Sequence, residues 1–193
     1  LKPSGGAYFG SGFWYNSNSF ICHIDFPVPM RANVTALEQS GTADHYKVIN
    51  NAISLIQLLL HEKEVNLNIE CDEDLHWNVN STLLEHALVN LITNSIKYSD
   101  SYVNIDIKAK KYKNNLRISI IDNGFGIEKN DIPRLFERFY RSSSGRITDK
   151  KGTGLGLSIV KHIVQVHSGI INIDSKVGIG TTFKITIPFL EPT

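Results

Sequence analysis

The sequence predicts an α+β fold, a two-layer sandwich in which a mixed, mostly antiparallel sheet is covered by helices on one face. Two observations carry this. Strict apolar–polar alternation recurs around 65–70, 103–110, 116–120 and 182–187, and such segments bury one face only. Between them, apolar residues fall three and four apart around 48–60, 84–96 and 159–164, which is the spacing of helices with a single apolar stripe. Strands that are apolar on one side need helices on that side alone.

In chain order, residues 1–44 form an N-terminal segment with no functional reading. Tyr8, Phe9, Phe13, Trp14, Tyr15, Phe20 and Phe26 crowd it, Phe20, Cys22, Ile24 and Phe26 alternate as one strand, and Pro27 and Pro29 end that strand. Residues 45–193 make the main domain. From about Ala43 to His61 the spacing predicts a helix with Val48, Ile49, Ala52, Ile53, Ile56, Leu59 and Leu60 on one stripe, capped by Asp44 or Thr42. Val65, Leu67 and Ile69 alternate as a strand, and a short second strand surrounds Trp77 to Val79. A long helix is expected over Ser81–Tyr98. Val103, Ile105, Ile107 and Ala109, a turn at Asn114-Asn115, then Leu116, Ile118 and Ile120 read as a half-buried hairpin. Asp131 to about Arg141 reads as a short helix with Ile132, Leu135, Phe136 and Phe139 on one side, and Ser142 to Lys151 as a polar, basic lid. A helix follows to about Ser168, stopped by Gly169. Ile171 and Ile173 open a strand, Gly178 and Gly180 make a turn, and Phe183, Ile185 and Ile187 alternate in a last strand ended by Pro188.

Composition narrows the function. Of 193 residues, 41% are hydrophobic and 20% charged, with a formal net charge of +1, so no global field draws the chain to nucleic acid or to a membrane surface. The local balance differs. From Arg134 to Lys151, six bases (Arg134, Arg138, Arg141, Arg146, Lys150, Lys151) face two acids (Glu137, Asp149). Cys22 and Cys71 make neither a disulfide framework nor a zinc site and read as free thiols of a reducing compartment.

Two patterns carry chemistry. Gly152-Thr153-Gly154-Leu155-Gly156-Leu157 places three alternate glycines directly before an apolar helix. Such a loop permits close backbone approach, and the helix start offers unpaired N–H groups and the positive dipole end, an arrangement suited to phosphate. On the helix over 81–98, steps of about 100° put Ala87, Leu91, Leu84, Leu88, Ile92, Ile96 and Val89 over more than half the circumference. His86, Asn90, Thr93, Asn94 and Lys97 gather in the remaining arc, facing either solvent or a ligand. Two asparagines four apart beside a lysine are unusual on a solvent face, because asparagine is a mediocre helix former.

Five segments together resemble the catalytic, ATP-binding domain of sensor histidine kinases over roughly residues 45–189. Glu85-His86-Ala87-Leu88-Val89-Asn90-Leu91-Ile92-Thr93-Asn94-Ser95-Ile96-Lys97-Tyr98 resembles the family's N box. Asp122-Asn123-Gly124-Phe125-Gly126-Ile127 resembles the G1 box, and Leu135-Phe136-Glu137-Arg138-Phe139-Tyr140-Arg141 the F box. Gly152 to Leu157 resembles the G2 box, and Gly178-Ile179-Gly180-Thr181-Thr182-Phe183 the glycine turn before the last strand. The resemblance implies the Bergerat ATP-binding fold shared with gyrase, HSP90 and MutL.

It also implies roles. Asp122 accepts from the adenine amino group, and Gly124 and Gly126 let the backbone pass the base. Asn94, with Asn90 one turn earlier, holds Mg²⁺ together with water and phosphate. Lys97 and Tyr98 lie near phosphate and ribose, and Ile127, Phe136 and Thr182 complete the nucleotide site. Gly152, Thr153, Gly154, Leu155, Gly156 and Leu157 cradle the phosphates, and Arg138, Arg141 or Lys151 neutralise charge on the transferred group. Asn90, Asn94, Lys97 and Arg138 are the expected catalytic set. Asn90 stands where the hydrolysing relatives carry a water-activating glutamate; an amide is no base, which favours phosphoryl transfer. Glu85 is at most a helper, and Lys151 stands where many relatives carry glycine.

No histidine here sits in the family's phosphoacceptor pattern; His23-Ile24-Asp25-Phe26-Pro27 and His61-Glu62 both fall short of it. The resemblance therefore implies a cytoplasmic catalytic domain that works on a separate dimerisation and phosphoacceptor hairpin, with a response regulator downstream and no nucleic-acid or membrane contact of its own. A nucleotide-responsive binding module and an ATPase of the same superfamily are the alternatives.

Overall fold

Alternation and helical spacing become elements in the order β1 (Gly41–Asp44), α1 (His45–Ile56), β2 (Glu64–Cys71), β3 (His76–Val79), α2 (Ser81–Lys97), β4 (Tyr102–Tyr112) and β5 (Asn115–Asp122). A 3-10 turn (Ile132–Arg134), α3 (Gly156–Val166), β6 (Ile170–Lys176) and β7 (Gly180–Pro188) complete the chain. The computed structural model describes residues 41–56, 63–72, 76–142 and 152–189. The strand expected over 20–26, Leu59 and Leu60 of the first helix stripe, and the lid residues 143–151 lie outside these.

Five strands form one sheet in the order β2-β4-β5-β7-β6, and β1 pairs with β3 in a small second sheet. Among the described residues only β2–β4 is parallel; the other pairs are antiparallel. The mixed, mostly antiparallel sheet expected from one-sided alternation is thus present. Val103, Ile105, Ile107, Ala109, Leu116, Ile118, Ile120, Phe183, Ile185 and Ile187 point to one buried face. Leu84, Leu88, Leu91 and Ile92 of α2, and Val160, Ile163 and Val164 of α3, join them in a single core. α2 packs against α1 on one side and α3 on the other. The opposite face of the sheet is polar: Asn66 donates to Asn104 (3.0 Å), Asn68 to Asp106 (3.3 Å) and Lys108 to Glu70 (2.6 Å) along the parallel seam.

The ends of α2 are held from outside the helix. The Asn80 side chain caps its start by accepting from the Leu83 N–H at 3.0 Å. At its other end Lys63 Nζ donates to the Ile96 and Ser99 carbonyls, both at 2.6 Å, neutralising the negative dipole end. His167, just past α3, is buried and joins the two helices. Its Nε2 accepts from the Asn80 N–H (3.0 Å), and its Nδ1 faces the Ile163 carbonyl (2.8 Å), which fixes the neutral Nδ1–H tautomer. Burial holds this imidazole below its usual value.

Four expectations are corrected. The first helix begins at His45, because Ala43 and Asp44 pair with Trp77 and His76 in β1–β3. The hairpin turn is Lys113-Asn114, one residue earlier than expected, with Lys113 at φ 55° and Asn115 already paired with Tyr112. The segment 131–141 is a 3-10 turn followed by irregular backbone. Pro133 opens it, Phe139 takes the left-handed φ of 64°, and the Phe139 ring is 72% exposed instead of buried. Finally, Ser168 and not Gly169 adopts positive φ (55°) after α3. Its N–H bonds the Gln165 carbonyl and that of Gly169 bonds the Val164 carbonyl, as in a Schellman closure. Gly169 is required for closeness, since a Cβ there would lie 2.7 Å from the Thr186 carbonyl.

Candidate functional site

Strand β5 ends in Asp122, where Asn123-Gly124 stops its alternation and the chain leaves the sheet. The carboxylate is half-buried between β5, β7 and α2. Its Oδ1 accepts from the backbone N–H groups of Gly124 (2.9 Å) and Thr181 (3.1 Å), and its Oδ2 accepts from Ser95 Oγ (2.8 Å). Burial pushes its carboxyl above the ordinary value, while these three donors pull the other way. An ionised carboxylate has about four acceptor positions. Both positions of Oδ1 and one of Oδ2 are filled by protein, so one position on Oδ2 remains for an outside donor.

The loop after Asp122 passes close to α2. Phe125 N–H donates to the Tyr98 carbonyl (2.9 Å), and a Cβ on Gly124 would sit 2.6 Å from that same carbonyl. Only glycine fits there. Ile127 N–H donates to Ser175 Oγ (2.9 Å), which in turn donates to the Gly180 carbonyl (3.0 Å) and lies 2.9 Å from Thr181 Oγ1. The loop is thereby tied to the β6–β7 turn.

The glycine segment meets the same helix one end further up. α3 begins at Gly156, whose Cα faces the Asn90 amide: a Cβ there would be 2.9 Å from Asn90 Oδ1. Asn90 Nδ2 donates back to the His86 carbonyl (2.9 Å), so its Oδ1 is the atom turned toward the glycines. No side chain caps α3. From Asn90 to Tyr98 the helix rises about 12 Å, the length scale of a nucleotide.

The structure thus gathers Asn90 of α2, Tyr98 at its end, Asp122 of β5, Gly124, and Gly156 of α3 along one helix, α2; Gly126 and Ile127 lie against the β6–β7 turn and Gly154 against Phe139 and Tyr140. Asn94 is half-buried and Lys97 exposed on that helix. Gly152, Thr153, Leu155 and Leu157 lead into or open α3, with the Thr153 hydroxyl 3.4 Å from the Leu155 N–H. Phe139 N–H donates to the Gly154 carbonyl (2.9 Å), joining the irregular turn to the glycine segment. Within that turn Tyr140 donates to Asp131 (2.7 Å), and Arg134 stacks over Tyr140. The Phe136 ring faces Lys161 of α3, Arg138 is exposed and Arg141 half-buried. Lys151 lies outside the described residues. Thr182 is on β7 opposite Ile121, one residue from the Thr181 whose N–H reaches Asp122.

Two residues at the carboxylate escape a reading from spacing. Thr181 acts through its backbone, which no side-chain pattern reports. Ser95 left a signal: it falls four residues after Leu91 on the apolar arc and is 3% exposed, and a hydroxyl buried there must have a partner. Glu85 accepts from Asn51 of α1 (2.8 Å). Among the described residues no three His, Cys, Asp or Glu side chains cluster as a metal cage, and no helix is long and apolar enough to cross a membrane.

Comparison with known proteins gives the family and the fold. The family model of the histidine kinase-, DNA gyrase B- and HSP90-like ATPases matches residues 79–191. The chain is 34% identical over 152 residues to the sensor-like histidine kinase SenX3 of Mycolicibacterium smegmatis, and the match spans 79% of this chain and 40% of that protein. Among solved structures, the nucleotide-free catalytic domain of histidine kinase ThkA superposes with a TM-score of 0.69 at 24% identity, over 78% of this chain and 95% of that one. ThkA in complex with the response regulator TrrA gives 0.65 at 22% identity, over 78% and 42%. At such identities the two ThkA structures support the fold.

Proposed function

Because the chain belongs to the histidine kinase-, DNA gyrase B- and HSP90-like ATPase family, we propose that residues 45–193 bind ATP and pass its γ-phosphoryl group to a histidine on a separate helical hairpin, as the catalytic domain of a sensor histidine kinase. The observation that supports this best is that a single helix, α2, borders both the Asp122 carboxylate and the glycine start of α3. A purine amino group fits the open acceptor position of Asp122, and the phosphates fit the α3 N-terminus.

ATP supplies the phosphoryl group and its leaving group; the residues supply position and charge. Asp122 selects the base by accepting from its amino group. Gly156, lacking a Cβ, lets the Asn90 amide oxygen stand against the start of α3, beside the phosphates. Asn90 and Asn94 offer amide oxygens to a Mg²⁺ ion, which here would take its other ligands from phosphate and water, since no carboxylate cage is present among the described residues. Lys97, Arg138, Arg141 and Lys151 offset negative charge as the group moves. Asn90 leaves no general base at its position, which favours transfer over hydrolysis. The partners on this reading are the phosphoacceptor hairpin and a response regulator of the kind ThkA binds, and the domain works in the cytoplasm.

Calorimetry with a non-hydrolysable ATP analogue and Mg²⁺ should show one site on this chain. Labelled ATP should then mark a phosphoacceptor hairpin added in trans. Absence of analogue binding overturns the proposal. Binding followed by sustained phosphate release would make the protein an ATPase, and binding with neither outcome a nucleotide-responsive module.

A further inference from the structure

The nucleotide reading assigns Asp122 to the base but leaves open what holds the carboxylate in the orientation that selects it. The two carboxylate oxygens are not equivalent. Oδ1 is filled by the Gly124 and Thr181 N–H groups, so a purine amino group can reach only Oδ2. The other partner of Oδ2 is Ser95. We propose that Ser95 is a positioning residue for adenine selectivity, holding Oδ2 as an acceptor aimed at the 6-amino group.

The geometry favours a dedicated role. Ser95 comes from the middle of the apolar face of α2, where a hydroxyl gains nothing from packing. Its oxygen lies 3.3 Å from the Leu91 carbonyl and 2.8 Å from Asp122 Oδ2. It has one proton, and the shorter, charge-assisted contact to the carboxylate takes it. With that proton on Oδ2, the ionised acceptor form of Asp122 is favoured and its rotation fixed from the third side, the backbone donors fixing the other two. Without it, Oδ2 sits against apolar α2 with no donor, and its remaining acceptor position is no longer aimed.

The inference rests on the nucleotide reading, and its test separates the two. Calorimetry compares ATP with purine riboside triphosphate, which lacks only the 6-amino group, on wild type, Ser95→Ala and Ser95→Thr. Alanine is the best helix former, so Ser95→Ala should fold, as thermal denaturation would verify. Ser95→Ala should weaken ATP by about tenfold and leave the deaminated analogue unchanged. Ser95→Thr, which keeps the hydroxyl, should restore the preference. Equal weakening of both ligands would assign Ser95 to general packing and overturn the inference, as would unchanged ATP affinity. If wild type binds neither ligand, the nucleotide reading itself fails and this inference falls with it.

Discussion

The two ends of the candidate site are built differently. At the Asp122 end, every polar atom of the carboxylate but one acceptor position is engaged by β5, β7 or α2, and the flanking loop is pinned by Phe125 and Ile127 N–H groups. At the glycine end, α3 has no side-chain cap, Phe139 is left-handed and mostly exposed, and the Phe139–Gly154 bond ties the turn to the loop. Fixed donors suit recognition of an invariant base. Loosely tied backbone suits phosphates that must be admitted, held and released. On the proposed function, the contrast assigns selectivity and transfer to separate stretches of one helix, α2.

The largest expected effect breaks the fixed end. Asp122→Ala should reduce ATP-analogue affinity by about 100-fold or more. It should also cost about 1–3 kcal/mol for each buried N–H it orphans, read by calorimetry and denaturant unfolding. Asp122→Asn sharpens the point, because its Oδ1 still serves both N–H groups while its amide presents a donor to the amino group; binding should collapse with the fold intact. The pH dependence follows from sign. Folding raises the Asp122 value, so the stability this group contributes is present at low pH and is lost as pH rises from the ordinary carboxylate range through the raised value. Asp122→Asn should lack that decline in pH-dependent unfolding curves, and an identical curve would rule out the assignment.

Next in size is the loose end. Gly156→Ala puts a methyl 2.9 Å from Asn90 Oδ1 and must displace that amide. ATP-analogue affinity should fall about tenfold while adenosine binding stays unchanged and thermal stability holds or rises. Loss of adenosine binding as well would erase the distinction between the ends.

A smaller effect concerns the tie outside both ends. His167 is buried neutral with a lowered value, so its contribution is present above the usual histidine range and is lost as pH falls toward the lowered one. His167→Gln should flatten the slope of stability against pH just below about 6.5, and an unchanged slope would remove His167 from that role. Smallest is Phe139→Gly, which relieves a left-handed phenylalanine worth about 1 kcal/mol but gains chain entropy in the unfolded state. Stability should stay within about 1 kcal/mol of wild type, and a larger drop would show that the exposed ring supports the fold.

Most of the architecture was legible because its strands bury one face. Val103 to Ala109 and Leu116 to Ile120 read as a half-buried hairpin, and the apolar arc of α2 was readable apart from Ser95. Legibility failed where the deciding contact is distant or belongs to the backbone. Gly41–Asp44 has no alternation of its own and becomes a strand only through His76–Val79. Ile132, Leu135, Phe136 and Phe139 have helical spacing, yet only Ile132–Arg134 forms a 3-10 turn and Phe139 takes a left-handed φ that no helix continues through. At the site, motif residues were visible as side chains, whereas the N–H of Thr181 was not, and Ser95 hid among apolar neighbours.

The parallel β2–β4 seam has a kinetic consequence. β4 and β5 meet across two residues, Lys113 and Asn114, but Asn66 reaches Asn104 over a separation of 38 residues that includes β3 and the whole of α2. Closing so long a loop gains nothing until α2 has docked, so the hairpin should assemble early and β2 zip on last. Amide hydrogens of β2 should then exchange before those of β5, making the sheet's outer margin the first part of the molecule to peel away.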